Sequence, residues 1–144
     1  NTICERTDSY CEENHGKVFP AVVSAKTVTD SACLAAVEAA DALNVPVIVV
    51  ATEHGNSARA IRKFNPKAEI LALTPNVKAA RQLCVTRGVM PKIVDRISST
   101  DEFLQLGKKL AVEMGLAKAG DKIVMVNGAL VPSGITNTMS VQTI

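Results

Sequence analysis

The stretch Val47–Arg62 constrains the fold of this chain more than any other. It begins with four β-branched residues, Val47–Val50. Such a run, without polar alternation, is typical of a strand buried on both faces of a sheet. A polar turn follows, and then Ala58, Ile61 and Phe64 recur at helical spacing. The pattern predicts strand, turn and helix in succession, with the basic side chains of the helix facing outward.

Strand and helix patterns alternate along the rest of the chain. Three strand–helix–strand units in succession predict a parallel sheet with right-handed crossovers. The connection before the last strand is too short for a parallel crossover, so that strand must be antiparallel. The fold class is therefore α/β: a five-stranded mixed sheet, mostly parallel with an antiparallel last strand, and helices on both faces. The predicted strands are Val47–Ala51, Ile70–Leu73, Val89–Val94, Lys122–Val126 and Asn137–Ile144, and the predicted helices are Asn1–Asn14, Thr27–Leu43, one ending at Phe64, Val77–Thr86 and Ser98–Leu116.

Two further segments bear on organisation. The last strand alternates Met139 and Val141 with polar residues, which indicates a half-exposed edge strand. Exposed edges pair readily with other chains, so we expect a homo-oligomer through this edge. Residues 17–25 contain Pro20, which makes a central strand improbable and predicts an irregular linker.

Composition excludes several classes of function. The chain has 144 residues, 3% aromatic residues and no Trp, which argues against a stacking platform for sugars or single-stranded nucleic acid. A net charge of +2 is too small to imply a nucleic-acid or membrane partner, and no stretch has the length of a membrane span. The four cysteines lack metal-ligand spacing, and we expect buried free thiols in a reducing cytoplasm. The chain does not begin with Met, so we expect a trimmed chain or a piece of a longer protein.

No combination of residues in the sequence forms a recognisable catalytic site. His15 and His54 are the only histidines, and neither lies in a nucleophile motif. The segment Gly55–Ser57 has neither the spacing nor the lysine of a phosphate-binding P-loop. We therefore predict no catalytic residue and no metal ligand in this chain.

Two polar loops remain as candidate sites. Parallel strands place the loop Thr52–Ser57 and the loop Gly128–Asn137 at the same end of the sheet. If the hydroxyl groups and the flexible backbone of both loops converge there, their O–H and N–H groups could donate to phosphate oxygens. On geometry alone, two ordinary surface loops are the simpler interpretation. The candidate binding residues are Thr52, Glu53, His54, Gly55, Asn56, Ser57, Gly128, Ser133, Gly134 and Thr136.

The sequence resembles the C-terminal domain of pyruvate kinase. No single motif is decisive, but their order and spacing together are specific and cover nearly the whole chain. The matching segments are 37–40, 48–50, 52–58, 65–68, 70–74, 80–83, 87–89 with Pro91, 120–124 and 133–139. Residues 1–16 resemble the helix that leads from the catalytic barrel into this domain, and 17–144 resemble the α/β domain itself.

The resemblance implies a regulatory and oligomerisation role. The parent enzyme would transfer a phosphoryl group from phosphoenolpyruvate to ADP, giving pyruvate and ATP in glycolysis, with Mg²⁺ and K⁺. Its catalytic residues would lie in barrel and lid domains outside this chain. The C-terminal domain would bind a sugar-phosphate effector at Thr52–Ser57, with Gly128–Thr136 closing on it, and would form one interface of a homotetramer.

This chain departs from the family pattern at the effector turn. It has Glu53 and Asn56 where many members carry Lys or Ser and a basic residue, and Ala129–Pro132 lacks the Trp-Arg found in many members. We therefore expect a phosphate turn without a nearby cation, and with it a different effector, weak binding or a silent site. Two alternatives remain open: a stand-alone phospho-ligand binding module, and a structural dimerisation module without a ligand.

Overall fold

The computed structural model describes residues 2–14, 27–128 and 135–144. The predicted linker at 17–25 and the candidate residues Ser133 and Gly134 lie outside this part of the chain. The elements, in chain order, are α1 Thr2–Glu13, α2 Val28–Leu43, β1 Val47–Ala51, α3 Asn56–Lys63, β2 Glu69–Thr74, α4 Val77–Leu83, β3 Val89–Ile93, α5 Thr100–Glu113, β4 Lys122–Asn127 and β5 Thr138–Thr143.

The five strands form one sheet in the order β3-β2-β1-β4-β5. The pairs β2–β3, β1–β2 and β1–β4 are parallel, and β4–β5 is antiparallel. This confirms the predicted fold class, including the direction of the last strand and its place at an edge. β1 lies at the centre, where Val50 pairs with Ala72 on one side and with Val126 on the other.

The core consists of two apolar layers, one on each face of the sheet. Ile48 and Val50 face α2 and α3, where Ala36, Ala58 and other small or branched residues are fully buried. Val47 and Val49 face α5, whose Phe103 is 1% exposed. Because both faces of β1 are covered, the run of β-branched residues is buried throughout, as predicted.

Local capping sets the helix ends. α2 ends at Leu43, and its C-cap residue Asn44 takes a left-handed conformation with φ 49°, shortly before a proline that cannot continue the helix. α5 begins after Ser99, whose hydroxyl accepts from the N–H of Glu102. The Glu102 carboxylate in turn accepts from the backbone N–H and hydroxyl of Ser98, and these bonds lower its pKa.

The cysteine prediction is only partly right. Cys33 is buried against the sheet, but Cys4 and Cys84 are exposed and Cys11 is half-buried. Cys84 is the C-cap residue of α4, which ends at Leu83, three residues before the predicted end, and its side chain faces solvent although its backbone is still helical.

α1 lies apart from the core. Ile3 and Tyr10 are 80% and 59% exposed. An ion pair joins α1 to the domain, with Asp8 Oδ1 3.0 Å from Arg87 Nε. Beside this ion pair lies a cleft of about 550 Å³ at the amino ends of β2 and β3. Within the described part of the chain, no helix is long and apolar enough to span a membrane.

Candidate functional site

The two polar loops begin side by side at the carboxyl end of the sheet. β1 pairs in parallel with β4, so Thr52 and Gly128 follow neighbouring strand ends. In open α/β sheets this is the edge where ligands bind. The predicted convergence of the two loops is therefore present for the residues that the structure describes.

The turn after β1 is held by a buried threonine. The Thr52 hydroxyl, 8% exposed, accepts from the N–H of Gly55 at 3.0 Å. Gly55 has φ +84°, a left-handed conformation that favours glycine. A Cβ at this position would lie 3.3 Å from both Leu83 and the Arg59 guanidinium. The N–H of Gly55, expected to face a ligand, is therefore engaged within the turn.

The amino end of α3 is open. Its N-cap residue is Gly55, which has no side chain to accept from the first-turn N–H groups. By contrast, Thr27, Asn76 and Ser99 cap α2, α4 and α5 with side-chain oxygens. Among the helices whose N-cap lies in the described residues, α3 alone lacks a side-chain cap. The N–H groups of its first turn are therefore available to an external acceptor.

The residues at the base of the late loop contact this open helix end directly. The hydroxyls of Ser57 and Thr136 share a hydrogen bond of 2.5 Å, although the residues are 79 apart in sequence. Ser57 is 7% exposed and Thr136 is 2% exposed. A Cβ at Gly128 would lie 2.5 Å from the Ile135 carbonyl oxygen, so only glycine allows this close approach. The base of the late loop is thus fixed against the first turn of α3.

The remaining candidate residues line the outer rim of the turn. The side chains of Glu53, His54 and Asn56 are exposed. The Glu53 carbonyl accepts from the buried hydroxyl of Thr74 at 3.4 Å, which ties the turn to the end of β2. Within the described residues the Glu53 carboxylate forms no ion pair, so its charge is solvated rather than fixed over the turn.

Sequence reasoning missed one cation at the turn. The Arg59 Nη1 donates to the His54 carbonyl at 3.2 Å and to Asn56 Oδ1 at 3.4 Å. The expectation of a turn without a nearby cation is therefore wrong. Arg59 folds back because the (i, i+3) spacing on a helix places its side chain beside Asn56. That spacing was the signal in the sequence that would have indicated the contact.

Cys33 packs beneath the same helix turn. Its Sγ lies 4.0 Å from the carbonyl oxygen of Ser57, and the residue is fully buried. Burial, and then the negative charge of Asp30, raise the pKa of the Cys33 thiol from 9.0 to about 11. The thiol is therefore protonated and unreactive at neutral pH, and it supports the turn by packing.

The cleft at the opposite end of the sheet has a different chemistry. Arg62, predicted to face outward, is half-buried there, and Arg87 and Glu69 also line it. Burial lowers the pKa of Arg62, the charge of Arg87 lowers it further, and Glu69 opposes the shift. The cleft thus combines opposed charges, whereas the turn after β1 presents hydroxyl and backbone donors.

The chemistry of the turn after β1 suits an anion, because its hydrogen-bond donors are neutral groups together with one cation, Arg59. In the described part of the chain, no group of three or more His, Cys, Asp or Glu side chains is placed to bind a metal ion. The donors at the turn are first-turn N–H groups, hydroxyls and the Arg59 guanidinium. This set suits the oxygens of a phosphate group.

Comparisons with known proteins agree with this architecture. The family model described as pyruvate kinase, alpha/beta domain matches residues 30–142. A pyruvate kinase from Lactococcus lactis is 38% identical over 132 residues, which cover 92% of this chain and 26% of that protein. A pyruvate kinase from Clostridium acetobutylicum is 38% identical over 122 residues, 83% of this chain and 25% of that protein. One from Staphylococcus aureus is 41% identical over 102 residues, 71% of this chain and 17% of that protein.

The chain therefore spans about a quarter or less of the length of these curated relatives. The matched region includes every strand of the sheet except the last residue of β5, and both polar loops at its carboxyl end. The resemblance inferred from the motifs is confirmed, and the chain belongs to the pyruvate kinase alpha/beta domain family.

Proposed function

We propose that this chain is the regulatory and oligomerisation domain of a cytoplasmic pyruvate kinase, and that the turn after β1 binds the phosphate of a sugar-phosphate effector. The open amino end of α3 carries this proposal. A phosphate there would accept from the uncapped N–H groups and would also be favoured by the helix dipole.

The ligand would lie between two parts of the chain that are far apart in sequence. The N–H groups of Asn56, Ser57 and Ala58 would donate from α3, and the loop after β4 would close from the other side. The Ser57–Thr136 hydrogen bond already joins these two parts. Since only one of the two hydroxyls donates in that bond, the other hydroxyl hydrogen is free to donate to a phosphate oxygen.

Catalysis would belong to the rest of the parent enzyme. The relatives are named pyruvate kinases, and this chain matches a quarter of the Lactococcus protein. Phosphoryl transfer from phosphoenolpyruvate to ADP, with Mg²⁺ and K⁺, would take place in barrel and lid domains outside this chain. The effector would act by binding one arrangement of the subunits more tightly than another.

Titration of fructose 1,6-bisphosphate into the isotope-labelled chain tests effector binding. We expect the amide signals of Asn56, Ser57, Ala58 and Thr136 to shift together. Thr136→Val should weaken binding by about fivefold, the value of one ordinary hydrogen bond. Thr138→Val removes an exposed hydroxyl two residues away and should leave the affinity unchanged. If no signal shifts at either loop, the effector proposal is wrong.

The oligomerisation role rests on the exposed edge strand β5. Val141 on this strand is 41% exposed, and among the described strands β5 pairs with β4 alone. We expect light scattering to detect a dimer at high concentration, and Val141→Lys to abolish it because an edge lysine opposes strand pairing. Val112→Lys on α5 is the matched control, because Val112 is 45% exposed and lies away from the edge. A wild-type chain that stays monomeric would contradict this role.

The two alternatives predict different results. A stand-alone binding module would bind the phosphate ester, but its native gene product would be no longer than this domain. A structural dimerisation module would dimerise without any shift of the turn signals. The length of the native gene product and the phosphate titration together separate all three.

A further inference from the structure

We infer that Arg59 is the specificity-determining cation of the effector site, selecting a phosphate dianion at the turn after β1. This inference rests on the proposed function, because it assigns a role at the same turn. Neither the motifs of the turn nor the late loop supplies a positive charge. Arg59 supplies it from the first turn of α3.

The contacts of Arg59 place its charge over the turn. Nη1 lies 3.2 Å from the His54 carbonyl oxygen and 3.4 Å from Asn56 Oδ1, and Nη2 lies 3.3 Å from Gln82 Oε1 on α4. All three acceptors are neutral. Within the described residues Arg59 forms no ion pair with a carboxylate, so its charge is not neutralised by the protein.

The approach of the guanidinium depends on the open helix end. A Cβ at Gly55 would lie 3.3 Å from Arg59 Nη1, so a larger residue at the N-cap would crowd the guanidinium. The same glycine that leaves the first-turn N–H groups uncapped therefore lets the cation lie beside them. The Arg59 guanidinium and the uncapped N–H groups therefore belong to the same turn.

The bond to Gln82 is the one that a ligand would replace. Gln82 and Arg59 are both exposed, so this hydrogen bond between a charged guanidinium and a neutral amide lies at the rim of the turn and not in the core. An anionic phosphate is a stronger acceptor for a guanidinium than a neutral amide is, and a guanidinium binds it with two parallel hydrogen bonds.

Binding of fructose 1,6-bisphosphate to three variants of the chain tests the inference. Arg59→Gln should weaken binding by about tenfold or more, as expected for loss of a charged hydrogen-bonding partner. Arg59→Lys, which keeps the charge but not the planar fork, should recover part of the loss. Arg62→Gln removes the same charge from the cleft at the other end of the sheet and should change the affinity less than twofold.

The outcomes separate this inference from the proposed function. If the wild-type chain binds and Arg59→Gln binds equally well, Arg59 has no such role and the effector site stands without it. If Arg59→Gln and Arg62→Gln weaken binding equally, only net charge matters and the inference is overturned. If the wild-type chain does not bind fructose 1,6-bisphosphate, the proposed function is wrong, and the role of Arg59 falls with it. The amide spectrum of each variant, away from the turn, reports whether it is folded.

Discussion

The turns after β1 and β2 stand side by side at one end of the sheet, and their helices begin differently. The helix after β2 is capped by Asn76, whose Oδ1 accepts from the N–H groups of Lys78 and Ala79 at 2.9 and 3.2 Å. The helix after β1 follows Gly55, and its first turn has no side-chain cap. The same strand–turn–helix topology thus yields one closed and one open helix end.

This difference shows what separates a structural turn from a candidate binding turn. At the closed end the protein itself satisfies the helix N–H groups, so a ligand would have to displace the cap. At the open end the supporting groups are internal: Thr52 holds Gly55, and Thr136 holds Ser57. The buried hydroxyl of Thr74 links both turns, donating to the Glu53 carbonyl and accepting from the Asn76 N–H.

Gly55→Ala should give the largest loss of stability. The left-handed conformation costs a non-glycine residue about 1–2 kcal/mol, and crowding against Leu83 and Arg59 adds about 1–2 kcal/mol. Gly115→Ala is the matched control, because Gly115 has φ +71° and open space around it. Urea unfolding should therefore show a greater loss for Gly55→Ala. Equal losses would mean that the open turn tolerates a side chain.

Cys33 should report on the packing beneath the open turn. Its raised pKa, from 9.0 to about 11, lowers the thiolate fraction at pH 8 by about 100-fold. A thiol reagent should therefore modify the exposed Cys4 and Cys84 and spare Cys33 until the chain unfolds. Rapid labelling of Cys33 in the native chain would show that the turn opens readily.

The Cys33 thiol also makes the free energy of unfolding depend on pH in a defined range. Because the folded pKa of Cys33 exceeds the unfolded value, its contribution is complete below pH 9 and is lost as pH rises towards 11. Cys33→Ser removes the titrating thiol, so the decline in unfolding free energy over this range should become shallower. An unchanged slope would contradict the assigned cause.

Valine substitutions should distinguish the contributions of Thr52, which follows β1, and Thr74, which ends β2. Thr74→Val removes two hydrogen bonds of a residue that is 0% exposed, and should cost about 2–3 kcal/mol. Thr52→Val removes the acceptor of one N–H and should cost about 1–2 kcal/mol. Denaturant unfolding measures both, and the reverse order would show that Thr74 does not join the turns.

Asn76→Gly should have the smallest effect and tests the comparison most directly. Replacing a capping residue by glycine costs only a few tenths of a kcal/mol, whereas Asn76→Ala should cost about 1 kcal/mol. The glycine variant opens the amino end of α4. We expect inorganic phosphate to leave the Lys78 and Ala79 amide signals unmoved, because the hydrogen bond to Thr136 is made by α3. Binding at α4 equal to that at α3 would mean that an open helix end alone suffices.

Much of the fold was predictable because its signals are local or topological. The β-branched run at Val47–Val50 identified the central strand, and the short connection before β5 fixed its direction. The end of α4 was predicted three residues late, since nothing in the local pattern required the helix to stop at Leu83. Of the candidate site, the parallel strand direction predicted that the loops Thr52–Ser57 and Gly128–Asn137 lie at one end of the sheet, whereas only the structure shows that β1 and β4 are neighbours.

The sequence by itself determined the order of strands and helices, the direction of each strand and the family, because periodicity, turn residues and motif spacing are written along the chain. Only the tertiary structure decided which donors are engaged and which are open. It paired Ser57 with Thr136, folded Arg59 over the turn, and left α1 exposed beside its ion pair. Such contacts depend on side-chain conformations and on residues distant in sequence, and local patterns do not encode them.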